Sequence, residues 1–293
     1  MKPDHPIMPY LATALAVALF SLMDALMKTA SIAVGVYSAL LFRTLAGTIL
    51  AAPVWLATGG RMPPVAHMRI HLLRAAVTCC MALLFFFGLV RLPMAEAIAL
   101  SFIAPLIALY LAAIMLGERI GESAVLASLL GFAGVAIITM ARFRGAPFGD
   151  EEWRGVGAVL GSACLYAWNL VLQRRIAQLA PPLEVTVAQN ALMCMLLGTL
   201  APWIAVIPEG GALFPIVASA VLATVSLLLL TWAYARAETQ TLVPLEYTAF
   251  LWAALFGWLY FGEEVGRATL IGAVLIVTGC WIGAPRRTEP TAL

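Results

Sequence analysis

Polar and charged side chains lie inside long apolar stretches of this 293-residue chain, which is 63% hydrophobic and 11% charged. A charge at the centre of a bilayer costs at least about 2.5–3.5 kcal/mol, so such residues usually face the interior of a helix bundle and find partners there. In that position they contact a polar solute, carry a proton or hold helices together. The candidates for contact with a solute are Asp24, Arg43, Arg74, Thr78, Glu96, Ser101, Tyr166, Trp168, Asn169, Gln189, Glu246 and Tyr247.

Position along the chain suggests partners for several of these residues. Asp24 lies late in the first apolar stretch and Arg43 lies early in the second, so the two can pair. Lys28, four residues after Asp24, can share that carboxylate. Asn169 and Gln189 occupy the corresponding places in the second half of the chain, so we expect an ionic contact in one half and an amide contact in the other. Both contacts suit either helix packing or solute binding.

Other candidates have alternative roles. Arg74 begins the third apolar stretch and Glu246 lies at the same expected level in the ninth, so they can form an ion pair. Glu246 is either half of that structural pair or a group that contacts solute or carries a proton. Glu96 begins the fourth stretch and can extend to the membrane interface. Trp168 and Tyr166 either pack against helices and lipid or form an aromatic wall for an amphipathic solute or an organic cation.

Several kinds of chemistry lack their motifs. His67 and His71 are four residues apart without a third ligand, and the five cysteines lie in apolar stretches without metal-ligand spacing. The sequence has no His-Glu-x-x-His motif and no phosphate-binding glycine loop followed by lysine. The net charge of +2 gives no basis for nucleic-acid binding. We therefore predict no metal, no cofactor, no ATP hydrolysis and no enzymatic activity.

The apolar stretches themselves predict membrane-spanning helices. A helix needs about 20 mainly apolar residues to cross the hydrocarbon core, and short loops with glycine, proline or charge separate the stretches. The first is expected to remain as a span, because Asp24 and Lys28 stand where a signal peptide would have a small-residue cleavage site. The predicted fold is an all-α bundle of ten transmembrane helices, at roughly 7–28, 36–58, 70–90, 94–116, 123–141, 155–177, 183–207, 212–235, 241–261 and 267–284.

Two similar turns indicate an internal duplication. Residues 116–121 read LGERIG between the fourth and fifth spans, and residues 261–266 read FGEEVG between the ninth and tenth. The turns are 145 residues apart, and the same offset aligns polar residues of the two halves. We predict two five-helix repeats, residues 1–145 and 146–293. Because five is odd, the repeats enter the membrane from opposite sides, and such inverted repeats are common in secondary transporters.

Lysine and arginine residues near the span ends set the expected orientation. With the N-terminus inside, ten of them lie on the cytoplasmic side and six on the outer side. Three of the outer six, Arg142, Arg144 and Arg154, belong to the central loop and favour the opposite orientation. The larger group predicts that both termini lie in the cytoplasm.

These features together resemble the EamA-type branch of the drug/metabolite transporter superfamily. The resemblance covers nearly the whole chain. It implies a secondary transporter of the bacterial inner membrane that has no bound cofactor and has a central cavity between its halves. Its substrates would be small molecules, among them amino acids, riboflavin, S-adenosylmethionine and cationic drugs. The segments that carry the resemblance, by their order and spacing, are Ser21-Leu22-Met23-Asp24 with Lys28, Phe42-Arg43, 99–105, 116–118, 244–247 and 261–263.

The function expected from the duplication and the resemblance is transport of a small organic metabolite by alternating access. An amino acid, aromatic ones included, is the leading substrate, and export is the favoured direction. Uptake of S-adenosylmethionine, riboflavin or a similar metabolite is an alternative, and a non-transporting membrane scaffold subunit is an alternative from another class. The expected partners are the solute and membrane lipid, with proton coupling as an option and with both a monomer and a homodimer open.

Overall fold

The computed structural model describes residues 7–104, 107, 122–145, 149–177, 179–234, 236, 245–246 and 248–283. Within these ranges the chain forms helices and turns and no β-strand. A short helix, Ala201–Ile204, and a 3-10 helix, Gly210–Ala212, lie between two of the longer helices. The longer helices are α1 (Met8–Val34), α2 (Val36–Ala57), α3 (Val65–Arg91), α4 (Met94–Ser101), α5 (Glu122–Gly145), α6 (Asp150–Ala177), α7 (Pro182–Gly198), α8 (Leu213–Tyr234), α9 (Ala249–Phe261) and α10 (Arg267–Gly283).

These helices confirm the all-α prediction, and most of their ends lie within a few residues of the predicted spans. In the part of the chain that the structure describes, four regions are long and apolar enough to cross a membrane, namely Met8–Val34, Val36–Ala57, His67–Arg91 and Gly210–Ala233. Within the described residues, α4 and α9 cover only part of the predicted fourth and ninth spans. The count of ten spans therefore stays a prediction. The predicted turn at 116–121 lies outside the described residues.

The predicted seventh span, 183–207, is interrupted. α7 ends at Gly198, and Ala201–Ile204 forms a separate helical turn. Pro202 has no amide hydrogen for an α-helical bond but fits the first turn of a helix, so it favours the start of a new helix here. The chain that follows binds α2, where the Val206 amide donates to Ser38 Oγ at 2.9 Å.

A single glycine connects the first two helices. Gly35 has a φ of +82°, a region in which glycine avoids the steric cost of a Cβ atom. Its amide donates to the Ser31 carbonyl at 3.0 Å and so closes α1. We call the membrane face at this turn the Gly35 face. The opposite face, where α3 follows Pro64 and α7 follows Pro181, is the Pro64 face.

The distribution of polar and apolar side chains is that of a protein dissolved in lipid. Trp203 and Phe214 are largely exposed on the outer surface. Lys28, Arg74 and Asn169 are buried inside. Apolar side chains can face the bilayer at no cost, whereas charged and amide groups find partners only within the bundle.

The helices contact each other in a reciprocal pattern. α1 packs on α8 while α3 packs on α6, α2 packs on α8 while α3 packs on α7, and α1 packs on α9 while α4 packs on α6. α2 with α7, α4 with α9 and α5 with α10 are also in contact. If every helix is replaced by the helix five places along the chain, each of these contacts turns into another contact of the same set or stays the same contact. Two similar units related by a twofold axis would give this pattern. We call the interface between the two halves the seam.

Candidate functional site

Four polar residues lie in one line along α3. His67, His71, Arg74 and Thr78 are spaced by four, three and four residues, which places them on one face of the helix. The line runs from near the Pro64 face to the middle of α3. We call these four residues the α3 track. Because α3 packs on α6 and α7, the track faces helices of the other half.

At the Pro64 end of the track, His71 contacts the second half of the chain. Its Nε2 lies 3.3 Å from Oε1 of Glu184, which is in the first turn of α7. An ionised carboxylate only accepts hydrogen bonds, so Nε2 of His71 carries the hydrogen in this contact. His71 is 1% exposed, and its other ring nitrogen, Nδ1, has no hydrogen-bond partner.

Arg74 lies about one helical turn deeper and is also buried, at 4% exposure. Its Nε and Nη1 atoms have no hydrogen-bond partner. The guanidinium is close enough to His71 to affect it electrostatically. The expected ion pair between Arg74 and Glu246 does not form in this structure, where Glu246 lies within electrostatic range of Tyr166 instead. Two nitrogens of Arg74 are therefore hydrogen-bond donors in the seam for which the described residues supply no acceptor.

The deepest residue of the track binds the opposite half through an amide. Thr78 Oγ1 donates to Oδ1 of Asn169 on α6 at 3.1 Å. The expected contact between Asn169 and Gln189 is therefore wrong, and Gln189 Nε2 instead contacts Sδ of Met193 on its own helix at 2.9 Å. The two halves do not repeat one polar contact, because Asn169 turns to the first half for its partner.

Asp24 and Arg43 lie within electrostatic range of each other, but they do not form the ion pair that the sequence predicts, and Nε of Arg43 has no hydrogen-bond partner among the described residues. Arg43 Nη1 also lies 4.0 Å from Sδ of Met23. This contact joins α1 to α2 within the first half. It does not include Lys28, whose amino group is directed elsewhere.

Lys28 binds the second half at the Gly35 face. Its Nζ lies 2.5 Å from Oε1 of Glu263 and donates to the Leu92 carbonyl at 2.8 Å. The other carboxylate oxygen of Glu263 accepts the Met94 amide at 2.7 Å. The side chains of Lys28 and Glu263 are 6% and 17% exposed. We call these four residues the latch, because they join α1 and the start of α4 to the turn between α9 and α10.

The repeated turn explains how Glu263 reaches the latch. Gly262 has a φ of +63°, its amide donates to the Trp258 carbonyl, and the Glu263 amide donates to the Gly257 carbonyl, which together close α9. The turn directs the carboxylate to the first residue of α4, Met94, where a free amide and the helix dipole favour a negative charge. A Cβ atom on Gly257 would lie 2.7 Å from Oε2 of Glu263, so glycine leaves the space that the carboxylate fills.

Glu96 lies beside the latch in an open recess. Pro93, Ala254 and Glu263 are among the residues that line this shallow recess. Glu96 is buried, and the Thr269 hydroxyl donates to its Oε1 at 3.5 Å. The expectation that Glu96 extends to the membrane interface is therefore wrong, since it links α4 to α10.

Ser101 and Trp168 belong to neither the track nor the latch. Ser101 donates to a carbonyl of its own helix at 2.8 Å. Trp168 is 40% exposed on α6, a position that favours contact with lipid. Tyr247 lies outside the described residues. Among the described residues, no group of three or more His, Cys, Asp or Glu side chains is arranged to hold a metal ion.

Several residues of these clusters are absent from the sequence candidates, and three of them have charged or titratable side chains that join the two halves. His71, Glu184 and Glu263 each carried a local signal: a histidine three residues from an arginine in an apolar stretch, an acid in the turn after two prolines, and an acid in a repeated turn. Their partners lie 113 residues away for His71 and 235 for Glu263. Only the fold brings such distant positions together, so the pairing was beyond the reach of local spacing.

The fold and these clusters define a multi-pass membrane protein in which two similar halves bury charges along their interface. Residues 7–140 and 153–283 match the EamA-like transporter family, and the chain belongs to that family. It is therefore a membrane transporter of the drug/metabolite type.

Three transporters are among the proteins that are similar to this chain. The pseudopaline exporter CntI of Pseudomonas aeruginosa is 27% identical over 271 residues, which cover 89% of this chain and 90% of that protein. The riboflavin transporter of Rhizobium johnstonii is 30% identical over 193 residues, which cover 65% of this chain and only 62% of that relative. The aromatic amino acid exporter YddG of Ancylobacter novellus is 29% identical over 205 residues, which cover 67% of this chain and 69% of that protein. A crystal structure with 23% identity aligns over 94% of this chain and 96% of its own, with a TM-score of 0.65, and so shares the fold.

Proposed function

We propose that this protein is a secondary transporter that moves a small organic metabolite across the bacterial inner membrane by alternating access of two inverted five-helix repeats. The reciprocal helix contacts carry the proposal. In transporters built from inverted repeats, one repeat moves against the other around a site at their interface. The link between Thr78 and Asn169 lies on such an interface, near the middle of α3, and supplies polar groups at that depth.

The two ends of the seam are the gates in this proposal. At the Gly35 face the latch and the hydrogen bond from Val206 to Ser38 join the halves. At the Pro64 face the contact between His71 and Glu184 joins them. Opening toward either face requires the contacts at that face to separate while the others hold. We place the Gly35 face outside, since the lysine and arginine distribution favours cytoplasmic termini.

We further propose an amino acid, aromatic ones included, as the substrate and export as the direction. The similarity to an exporter over most of both chains supports export, and the similarity to an aromatic amino acid exporter supports the substrate. The similarity to a riboflavin transporter supports the alternative of uptake of riboflavin or a related metabolite. Membrane-embedded carboxylates such as Asp24 and Glu246 are the residues we propose for proton coupling.

Counterflow in proteoliposomes tests the proposal. Purified protein is reconstituted into vesicles preloaded with one of the twenty L-amino acids, with riboflavin or with S-adenosylmethionine, and uptake of the same labelled solute is followed. We expect accumulation of at least one amino acid above protein-free vesicles. Accumulation of riboflavin or S-adenosylmethionine alone would favour the uptake alternative. No counterflow of any solute by well-dispersed protein would favour the scaffold alternative.

Cysteine labelling tests the orientation. Arg61→Cys lies on the Pro64 side and Asp150→Cys on the Gly35 side, and both positions are exposed. In intact spheroplasts a membrane-impermeant maleimide should label Asp150→Cys and should label Arg61→Cys only after lysis. The wild-type protein, with its own cysteines, sets the background. The reverse labelling would invert the proposed topology.

A further inference from the structure

The Pro64 end of the seam contains polar groups that find no hydrogen-bond partner among the described residues. Arg74 and His71 lie on one face of α3, and Glu184 contacts His71 from the other half. Nε and Nη1 of Arg74 and Nδ1 of His71 are buried and make no hydrogen bond within the described part of the chain. Leaving such groups unpaired is costly, more so for a charged one. A group from outside the chain would remove that cost.

The equivalent interface of the other repeat has no such groups. With the 145-residue offset, Ile216 and Ser219 of α8 correspond to His71 and Arg74. Ala39 of α2 corresponds to Glu184. Ile216, Ser219 and Ala39 are fully buried, and α8 packs on α2 as α3 packs on α7. The Ser219 hydroxyl is satisfied by the Ile216 carbonyl at 2.7 Å. Since the fold closes this interface with small and apolar side chains, packing does not require the charges on the α3 side.

The chemistry of the unpaired atoms indicates the ligand. Guanidinium N–H groups form their strongest hydrogen bonds with carboxylates and phosphates. With the Nε2 hydrogen of His71 directed to Glu184, a neutral His71 presents Nδ1 as an acceptor. Cationic donors beside an acceptor complement an α-amino acid, whose carboxylate and ammonium groups are adjacent.

We propose that Arg74 binds the carboxylate of the transported solute and that His71 accepts a hydrogen bond from its amino group. Glu184 is a positioning residue, because it fixes the His71 ring from the opposite half. This assignment rests on the proposed transport function and narrows the solute to amino-acid-like molecules. The site is buried in this conformation, so solute reaches it when the seam opens.

Stability provides the first test. Arg74→Met removes a buried charge with unpaired donors, so we expect the Tm of the purified protein in detergent to rise by a few degrees. Ser219→Ala, at the equivalent position of the second repeat, is the matched control and should not raise the Tm. A structural arginine would behave in the opposite way, and its loss would lower the Tm.

Ligand binding provides the second test. The Tm of the wild-type protein is measured with each of the twenty L-amino acids, and with phenethylamine and tryptamine, which lack the carboxylate of phenylalanine and tryptophan. We expect at least one amino acid to raise the Tm, since a ligand that binds the native state stabilises it, and we expect neither amine to do so. Arg74→Met should weaken that binding by about 10- to 100-fold, as loss of a charged hydrogen-bond partner does. Arg74→Lys, which keeps the charge, should restore part of it.

The proposal stands only if both tests succeed. A fall in the Tm of Arg74→Met, the absence of a shift with every amino acid, or an undiminished shift in that variant would each overturn it. Counterflow of a solute without a carboxylate, with no amino-acid shift, would leave transport intact and remove the site. Amino-acid shifts that depend on Arg74, without counterflow of any solute, would keep the site and remove transport.

Discussion

The latch and the α3 track both bury charge in the seam, at opposite membrane faces, but they differ in how the charge is compensated. At the Gly35 face Lys28 contacts a carboxylate and a carbonyl, and Glu263 also accepts an amide. Toward the Pro64 face Arg74 is equally buried, yet two of its nitrogens make no hydrogen bond to any described residue. Taking a charge out of water costs several kcal/mol unless a partner compensates for it.

This difference separates closure from recognition. A compensated pair across the seam stabilises the conformation in which it forms, so the latch favours a closed Gly35 face. An uncompensated cation does not stabilise this conformation, and it is available to a ligand that supplies the missing acceptor. A buried charge alone therefore does not identify a binding site. The latch and the α3 track are distinguished by whether the buried charge has partners.

The largest expected effect concerns the latch. Lys28→Met leaves Glu263 buried beside an apolar group, and Glu263→Met leaves Lys28 without its carboxylate. Each single change should lower the free energy of unfolding by about 3–5 kcal/mol, as is usual when one partner of a buried pair is removed. The double variant should regain most of that loss because no unpaired charge remains. Denaturant or thermal unfolding in detergent measures all four proteins of the cycle.

The double variant decides whether the comparison holds. If its loss equals the sum of the two single losses, Lys28 and Glu263 do not interact in solution and the latch is not a pair. Arg91→Met is a control at the same face, since Arg91 forms an exposed pair with Glu151. Its effect should be no more than about 1 kcal/mol.

A smaller effect is expected within the α3 track. Thr78→Val keeps the shape of the side chain but removes the hydrogen bond to Asn169. Hydrogen bonds between membrane helices contribute about 0.6 kcal/mol on average and up to about 1.7 kcal/mol, so unfolding should become easier by that amount. Thr224→Val is the matched control, because the Thr224 hydroxyl binds only a carbonyl of its own helix. Equal effects of the two changes would show that the link between the halves adds nothing.

The sequence predicted what depends on local pattern. Most helix positions follow from the length of apolar stretches, and the duplication follows from the turn at Gly262 and Glu263, whose geometry proves to be a helix cap. The proximity of Asp24 and Arg43 is also predictable, because the two helices are joined by the single residue Gly35.

The parts that failed depend on the arrangement of distant helices. The sequence predicts a partner for Asn169 within its own half, but the reciprocal packing of α3 on α6 brings Thr78 to it instead. The sequence also predicts that Lys28 shares Asp24 one turn away, whereas the α9–α10 turn supplies a carboxylate from the other half. An apolar stretch shows that a polar side chain needs a partner, but it does not show which of several neighbouring helices provides one.

The smallest expected effect sharpens the contrast between buried and exposed pairs at the Gly35 face. Glu151 lies at the exposed start of α6, and the hydrogen bond from Arg91 holds the pKa of its carboxyl below the ordinary value of 4.5. Because the folded-state pKa is lowered, the ionised carboxylate stabilises the fold above pH 4.5, and this contribution is lost as the pH falls below that value. Glu151→Gln should therefore lower the Tm by about 2 °C or less near neutral pH, and by still less in high salt or below pH 4. Thermal scans from about pH 3 to pH 8 at two salt concentrations measure the difference. A salt-insensitive effect as large as that of the latch variants would mean that the Arg91 pair is buried in solution, and exposure would then not explain why the two pairs differ.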